Sequence, residues 1–181
     1  MRGGLRARQV VNLVNGSTLA GLGVAALGRA RVARSADGLF LGTGYRLPVP
    51  PAPAFCLGNV IVTRMDGLTP DSALFRHEAR HATQYAWCGG VVMVPLYLAA
   101  AGVSWVLTGD FGARNVFERR AGLADGGYAD KPLRPGIGRV SAARGGPGRV
   151  SGSSRRAGAA GRPLPWRASA AHDGSSASPS R

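Results

Sequence analysis

Long apolar blocks separated by charged segments predict a short series of helices and strands in this chain. Residues 10–27 and 82–109 contain no charged side chain, and each block is long enough to form a helix that is buried or faces a membrane. Between them, residues 54–63 are rich in apolar and β-branched side chains, which is typical of a strand. Gly58 and Asn59 within this stretch predict a bulge or a tight bend, and so a short hairpin or strand.

Three helices are predicted after this strand. Thr69 and Pro70 form a helix start, with Thr69 as N-cap, so we expect the first helix over residues 70–87. Gly89 and Gly90 end it. The second helix covers residues 91–107, and burial is favoured over a membrane span. The third runs from residue 114 to about 125, with Asn115 near its start.

The N-terminal block allows three interpretations. Residues 10–27 follow three arginines, as in a signal peptide or a membrane anchor. Asn12 and Asn15 lower its hydrophobicity, however, and Arg29 and Arg31 follow where a signal peptide would have small residues at a cleavage site. An amphipathic or buried helix is therefore the favoured interpretation.

The charge distribution divides the chain into three parts. The net charge is +14, but residues 1–34 carry six arginines and no acid, and residues 131–181 carry ten basic residues against one aspartate. Residues 35–130 are nearly neutral, so a DNA-reading face is not indicated there. We expect a basic N-terminal segment (1–34), a folded α+β domain (35–130) and a disordered tail (131–181). Nucleic-acid binding is unlikely except through that tail, for which a solvated linker is favoured.

Two isolated cysteines, Cys56 and Cys88, form no metal-binding pair and no disulfide framework. Two buried thiols are favoured over a bridge, and this fits a reducing compartment. We therefore expect a cytoplasmic protein, with weak membrane association as an alternative supported by the two apolar blocks and the basic ends.

The strongest chemical signal is the HExxH motif of residues 77–81. His77 and His81 are four residues apart, so both imidazoles lie on one face of a helix and can bind one Zn²⁺. Glu78 lies on the neighbouring face, where its carboxylate could take a proton from a water activated by the metal. The alternative is a polar helix surface that binds no metal.

The third ligand is expected to be a carboxylate or a cysteine, because His172, the one other histidine, lies in the predicted tail. Glu118 is the favoured candidate, and two histidines with one glutamate form the ligand set of a large class of catalytic zinc sites. The alternative for Glu118 is a surface pair with Arg114. Asp125, two helical turns further on, could orient a ligand histidine, although a plain helix-end aspartate is an equally good interpretation.

The order of these residues resembles a known group of enzymes. Ala54, Phe55, Gly58 and Ile61 precede His77-Glu78-x-x-His81-x-x-Gln84, and Asn115-x-x-Glu118 follows. This pattern is similar to that of bacterial zinc metallopeptidases of the zincin superfamily, gluzincin type. The resemblance implies a strand before the motif helix, a glutamate ligand on a later helix, and Gln84 beside the site. Gly122 stands where many gluzincins have an acidic residue.

The resemblance also implies a substrate site. In such families the strand lines the cleft and binds an extended peptide by adding it to the edge of the sheet. That role would fall to the segment that contains Phe55, Gly58, Asn59, Val60 and Ile61. The expected function is a zinc-dependent peptidase acting on a peptide or protein substrate, with Glu78 as general base. The alternative is a non-catalytic zincin-like module with a structural or membrane-associated role.

Overall fold

Two helices cover the uncharged N-terminal block and the basic residues before it, instead of the single helix expected. In the computed structural model, which describes residues 2–135, α1 spans Arg2–Val14 and α2 spans Ser17–Leu27. Gly16 between them has φ 78°, a left-handed conformation that a glycine adopts without strain, and the two helices are bent by 71°. The Asn15 side chain accepts hydrogen bonds from the backbone and hydroxyl of Ser17, which holds this corner.

The strands form one four-stranded mixed sheet. They are β1 (Arg31–Arg34), β2 (Phe40–Thr43), β3 (Ala54–Leu57) and β4 (Val60–Thr63), in the order β1-β2-β4-β3. β4 pairs with β2 in parallel and with β3 in antiparallel orientation. Leu57 pairs with Val60, so Gly58 and Asn59 are the two-residue turn of a hairpin. Helices with a small mixed sheet confirm the predicted α+β class.

The motif helix α3 spans Ala73–Trp87 and begins later than predicted. Ser72, not Thr69, is its N-cap, because the Ser72 hydroxyl accepts a hydrogen bond from the Phe75 amide at 3.2 Å. The Thr69 carbonyl accepts from the Ser72 amide, so Thr69 belongs to a turn before the helix. At the other end Gly89 is left-handed, with φ 75°, as its predicted role in helix termination requires.

Helix α4 spans Met93–Thr108 and is largely exposed, so the expectation of a buried helix is wrong. Within residues 2–135, the stretch Gly90–Thr108 is the one helix long and apolar enough to cross a bilayer, and only 22% of it is buried. The bent pair of α1 and α2 meets the same length and composition criteria when taken together.

Helix α5 spans only Val116–Ala121, four residues shorter at its C-terminal end than predicted. The Asn115 side chain caps it by accepting from the Phe117 amide at 3.0 Å. Gly122 has φ 92°, which ends the helix, and residues 123–127 form turns. Asp125 therefore lies on a turn and does not share a helix face with Glu118.

Helices cover both faces of the sheet. Ile61 packs with Leu39, Phe75 and Ala82 on the α3 side. Val60 and Val62 pack with Ala25 of α2 on the other side, as the alternation of side chains along a strand requires. Residues 2–34 are thus packed into the same core as the following residues. The predicted disordered tail lies outside the described residues from position 136 onward.

Candidate metal centre

Two histidines of α3 and one glutamate of α5 bring three ligand atoms together. His77 Nε2 lies 3.0 Å from His81 Nε2 and 3.0 Å from Glu118 Oε2. His81 Nε2 lies 3.7 Å from the same oxygen. All three residues are buried. The predicted ligands therefore converge, and the alternative that Glu118 pairs with Arg114 at the surface is wrong, since Arg114 contacts Asp130.

Hydrogen bonds to the other ring nitrogens determine where each imidazole carries its proton. His77 Nδ1 lies 3.0 Å from the Gly122 carbonyl oxygen, and His81 Nδ1 lies 2.8 Å from Gln84 Oε1. Gln84 Nε2 donates to the Phe117 carbonyl, which fixes the orientation of the amide. Because oxygen atoms of carbonyl groups only accept, both Nδ1 atoms are donors, and in the neutral rings both Nε2 atoms carry lone pairs.

These three ligand atoms could hold a cation. Two nitrogen lone pairs and a carboxylate oxygen face each other, and Glu118 Oε2 is buried without a hydrogen-bond partner. Metal–nitrogen and metal–oxygen bonds of about 2.0–2.1 Å in a tetrahedral zinc site would place ligand atoms roughly 3.3 Å apart. The observed separations of 3.0, 3.0 and 3.7 Å match that spacing. The residues present fit Zn²⁺.

Tyr97 of α4 holds the second oxygen of the glutamate. Its hydroxyl donates to Glu118 Oε1, which leaves Oε2 directed at the histidines. Burial alone would raise the pKa of Glu118, but the adjacent imidazoles of His77 and His81 outweigh burial and lower it to about 2. The carboxylate is therefore ionised at neutral pH, as a metal ligand must be.

No family model, curated protein or solved structure matches this chain.

Glu78 lies beside the ligands in a cavity of about 520 Å³. It is 5% exposed, and burial raises its pKa to about 7, although the two neighbouring histidines oppose this shift. A carboxyl group with such a pKa can accept and return a proton near neutral pH. The cavity walls are mostly apolar, and Tyr128 contributes a hydroxyl whose pKa is raised to about 12 by burial and by the charge of Glu118.

The residues predicted to bind substrate are divided between the cavity and the core. Phe55 lies on β3, which forms one edge of the sheet and lines the cavity. Val60 and Ile61 are fully buried on β4, which pairs with strands on both sides and has no free edge for a peptide. The prediction that Val60 and Ile61 lie on a substrate-binding edge is therefore wrong.

The hairpin turn also faces away from the cleft. A Cβ at Gly58 would lie 2.5 Å from the backbone of Ser17, so this turn packs against α2. Asn59 donates to Thr18 Oγ1 at 3.0 Å and accepts from Asn12, which in turn donates to the Ala82 carbonyl. Gly58 and Asn59 thus hold the N-terminal helices against α3 beside His81.

Asp125 contacts Arg80 and not a ligand histidine. Its carboxylate accepts from Arg80 Nη1 at 2.7 Å, and the same nitrogen donates to the Ala121 carbonyl at 2.6 Å. Arg80 thereby ties α3 to the end of α5. Asp125 was predicted to orient a ligand histidine, but the backbone carbonyl of Gly122 does so at His77. Gly122 is also the position at which the resemblance would place an acidic residue.

Sequence reasoning missed two contributors. Tyr97 is the one aromatic hydroxyl in the apolar stretch that forms α4, and that isolation was a usable signal. Gly126 carried no signal in the sequence. A Cβ there would lie 2.4 Å from the His77 ring, so the backbone of this turn packs directly on the ligand.

Proposed function

We propose that this protein is a zinc-dependent peptidase. The observation that carries the proposal is the convergence of His77, His81 and Glu118 beside Glu78 in a cavity bounded by an edge strand. Zinc is proposed because two imidazoles and one carboxylate are the ligand set of hydrolytic zinc sites. When bound there, zinc would make water more acidic and polarise a carbonyl group.

The residues of the chain supply the remaining steps. Glu78 takes a proton from the attacking water and returns it to the leaving amine, a role supported by its pKa of about 7. Tyr128, protonated at neutral pH, lines the same cavity and would donate a hydrogen bond to a developing oxyanion. Arg80, also on the motif helix, already donates to the Ala121 carbonyl and the Asp125 carboxylate.

Strand β3 supports the choice of a peptide as substrate. It pairs with β4 on one side, and its four residues Ala54–Leu57 line the cavity. An edge strand offers backbone N–H and C=O groups that an extended peptide can match. The apolar walls would then accept alternate side chains of that peptide.

The test combines metal analysis with a peptide-cleavage assay on the full chain. Elemental mass spectrometry should find about one zinc per chain in the parent, and loss of zinc in His77→Ala and Glu118→Ala. Glu78→Gln should retain zinc and lose about 10²-fold or more of the hydrolysis of a quenched fluorescent peptide library. Asp66→Asn, an exposed acid outside the cavity, is the matched control and should retain both.

Each contrary outcome has a distinct meaning. No zinc after reconstitution would reject the metal centre. Hydrolysis retained in Glu78→Gln would reject the mechanism. Zinc bound by all three ligands without cleavage of any peptide would leave the non-catalytic zincin-like module as the function.

A further inference from the structure

Helix α4 presents an apolar surface that the described part of the chain does not cover. One face packs on the protein through Met93, Tyr97, Ala101 and Ser104, spaced three or four residues apart. A surface helix normally carries charged residues on its opposite face, but residues 82–109 have none. That face exposes apolar side chains instead: Val94, Leu96, Leu98, Val103, Trp105 and Val106.

This surface continues around the mouth of the metal-bearing cavity. Among the residues that line the cavity, five large apolar ones are also exposed to solvent, and they come from three separate segments of the chain. Leu27 ends α2 and is 75% exposed, while Leu98 of α4 is 62% exposed. The set, called the apolar rim below, consists of Leu27, Leu47, Val49, Val94 and Leu98.

Arginines adjoin the apolar rim. Arg29 follows Leu27 by two residues, and Arg46 precedes Leu47. The Arg46 amide donates to the Gly28 carbonyl, so these two segments lie side by side. Both arginine side chains are exposed, and neither forms an ion pair within residues 2–135. An apolar patch is thus bordered by uncompensated positive charge.

We propose that the apolar rim and the exposed face of α4 dock on an anionic lipid bilayer. Apolar side chains would enter the headgroup boundary, and Arg29 and Arg46 would contact lipid phosphates. A second copy of the chain fits less well, because a symmetric contact through this face would place these arginines near their own equivalents.

The helix lies along the bilayer surface and does not cross it. Tyr97 donates to Glu118, and the Ser104 hydroxyl donates to the Asp110 carbonyl and accepts from the Arg114 amide. These contacts hold one face of α4 on the protein. The mouth of the cavity then faces the headgroups, and, on the basis of the proposed function, the substrates would be polypeptide segments held at the membrane surface.

The test is co-flotation of the full chain with lipid vesicles. The parent should bind vesicles of phosphatidylglycerol and phosphatidylcholine about tenfold or more tightly than vesicles of phosphatidylcholine alone. Leu98→Asp should weaken binding to the mixed vesicles about tenfold or more. Val116→Asp, on an exposed residue that lines a separate groove, is the matched control and should bind as the parent does.

A double variant tests the basic border. Arg29→Gln with Arg46→Gln should lose about tenfold or more of the affinity for the mixed vesicles and little of the affinity for neutral ones. The Arg-rich residues beyond position 135 are present in every variant, so their attraction to lipid cancels from the comparison. Circular dichroism and the unfolding temperature establish that each variant is folded.

Three outcomes would overturn the proposal. The parent could fail to float with the mixed vesicles, or Leu98→Asp could float as well as the parent. Sedimentation without lipid could instead show a dimer that Leu98→Asp dissociates, which would assign the face to a second copy. Binding is measured without any hydrolysis, so failure of the peptidase assay would not affect this result.

Discussion

Gln84 accepts a hydrogen bond from His81 Nδ1 at 2.8 Å and, through its other amide atom, donates to the Phe117 carbonyl at 2.9 Å. Phe117 immediately precedes Glu118. One side chain therefore orients a histidine on α3 and holds α5 in position beside it. The two helices are far apart in sequence, so local folding alone does not fix the distance between His81 and Glu118. The Gln84 side chain links the two helices and helps to set this distance.

Replacing Gln84 should weaken metal binding without unfolding the protein. Gln84→Met retains the volume and removes both hydrogen bonds, so the His81 ring loses its orientation. We expect zinc affinity, measured by competition with a chromophoric chelator, to fall about 10–100-fold. Gln9→Met is the matched control, because Gln9 donates to the Asp37 carbonyl away from the metal centre. Equal affinities for the two variants would contradict the role given to Gln84.

Removing the Tyr97 hydroxyl should also weaken zinc binding. Tyr97→Phe removes the donor to Glu118 Oε1, so the carboxylate gains freedom to rotate and its free oxygen becomes a buried unpaired acceptor. Zinc affinity should fall about tenfold. Tyr45→Phe removes a hydrogen bond to the Val49 carbonyl and should affect stability alone, by about 1 kcal/mol. A Tyr97→Phe variant with the zinc affinity of the parent would exclude this positioning role.

A side chain at position 126 should weaken zinc binding. The Cβ of Gly126→Ala would lie 2.4 Å from the His77 ring, so either the ring or the turn must move. We expect about tenfold weaker zinc binding, by the same chelator competition. Gly23→Ala is the control, since a Cβ there meets nothing within 4 Å and an alanine favours the helix. Undiminished affinity in Gly126→Ala would show that the turn yields at little cost.

The four-residue spacing of His77 and His81 made these two candidate ligands predictable, because residues four apart share a helix face in any fold. Glu118 followed by elimination from a chain with two glutamates and three histidines. The end of α5 was misjudged because Gly122, four residues after Glu118, stops the helix there. The isolated hydroxyl of Tyr97 marks that residue in the sequence but not its partner Glu118, and the contact of Gly126 with His77 depends on packing between distant segments, which no local pattern encodes.

The exposure of α4 could not be derived from its composition. A helix that is apolar on all sides suits a protein core and a lipid surface equally well, so the sequence predicts an apolar environment without specifying which. The sheet presents a similar limit. Residues 54–63 predict strands, but whether β3 or β4 forms the edge depends on the parallel pairing of β4 with β2, which is remote in sequence.

Three shifted pKa values predict that the metal-free protein is most stable near pH 5. Burial raises the pKa of Glu78 from 4.5 to about 7, and contacts with Glu118 raise that of His77 above 6.5 despite burial. The stability that Glu78 and His77 contribute is fully present below their pKa values in the unfolded protein. It is lost as the pH rises through their higher pKa values in the folded protein. Glu118, with its pKa lowered to about 2, contributes stability above pH 4.5 that is lost as pH falls.

Zinc should reverse this dependence of stability on pH, because protons compete with the metal for the histidine nitrogens and bind them more at low pH. Thermal unfolding with and without zinc, at pH 5 and pH 8, measures both effects. The metal-free protein should melt at a lower temperature at pH 8, since the Glu78 shift alone corresponds to about 3 kcal/mol. Added zinc should raise the melting temperature more at pH 8 than at pH 5, and His77→Ala should abolish that difference. A zinc-induced increase that is the same at both pH values would show that these histidines do not bind the metal.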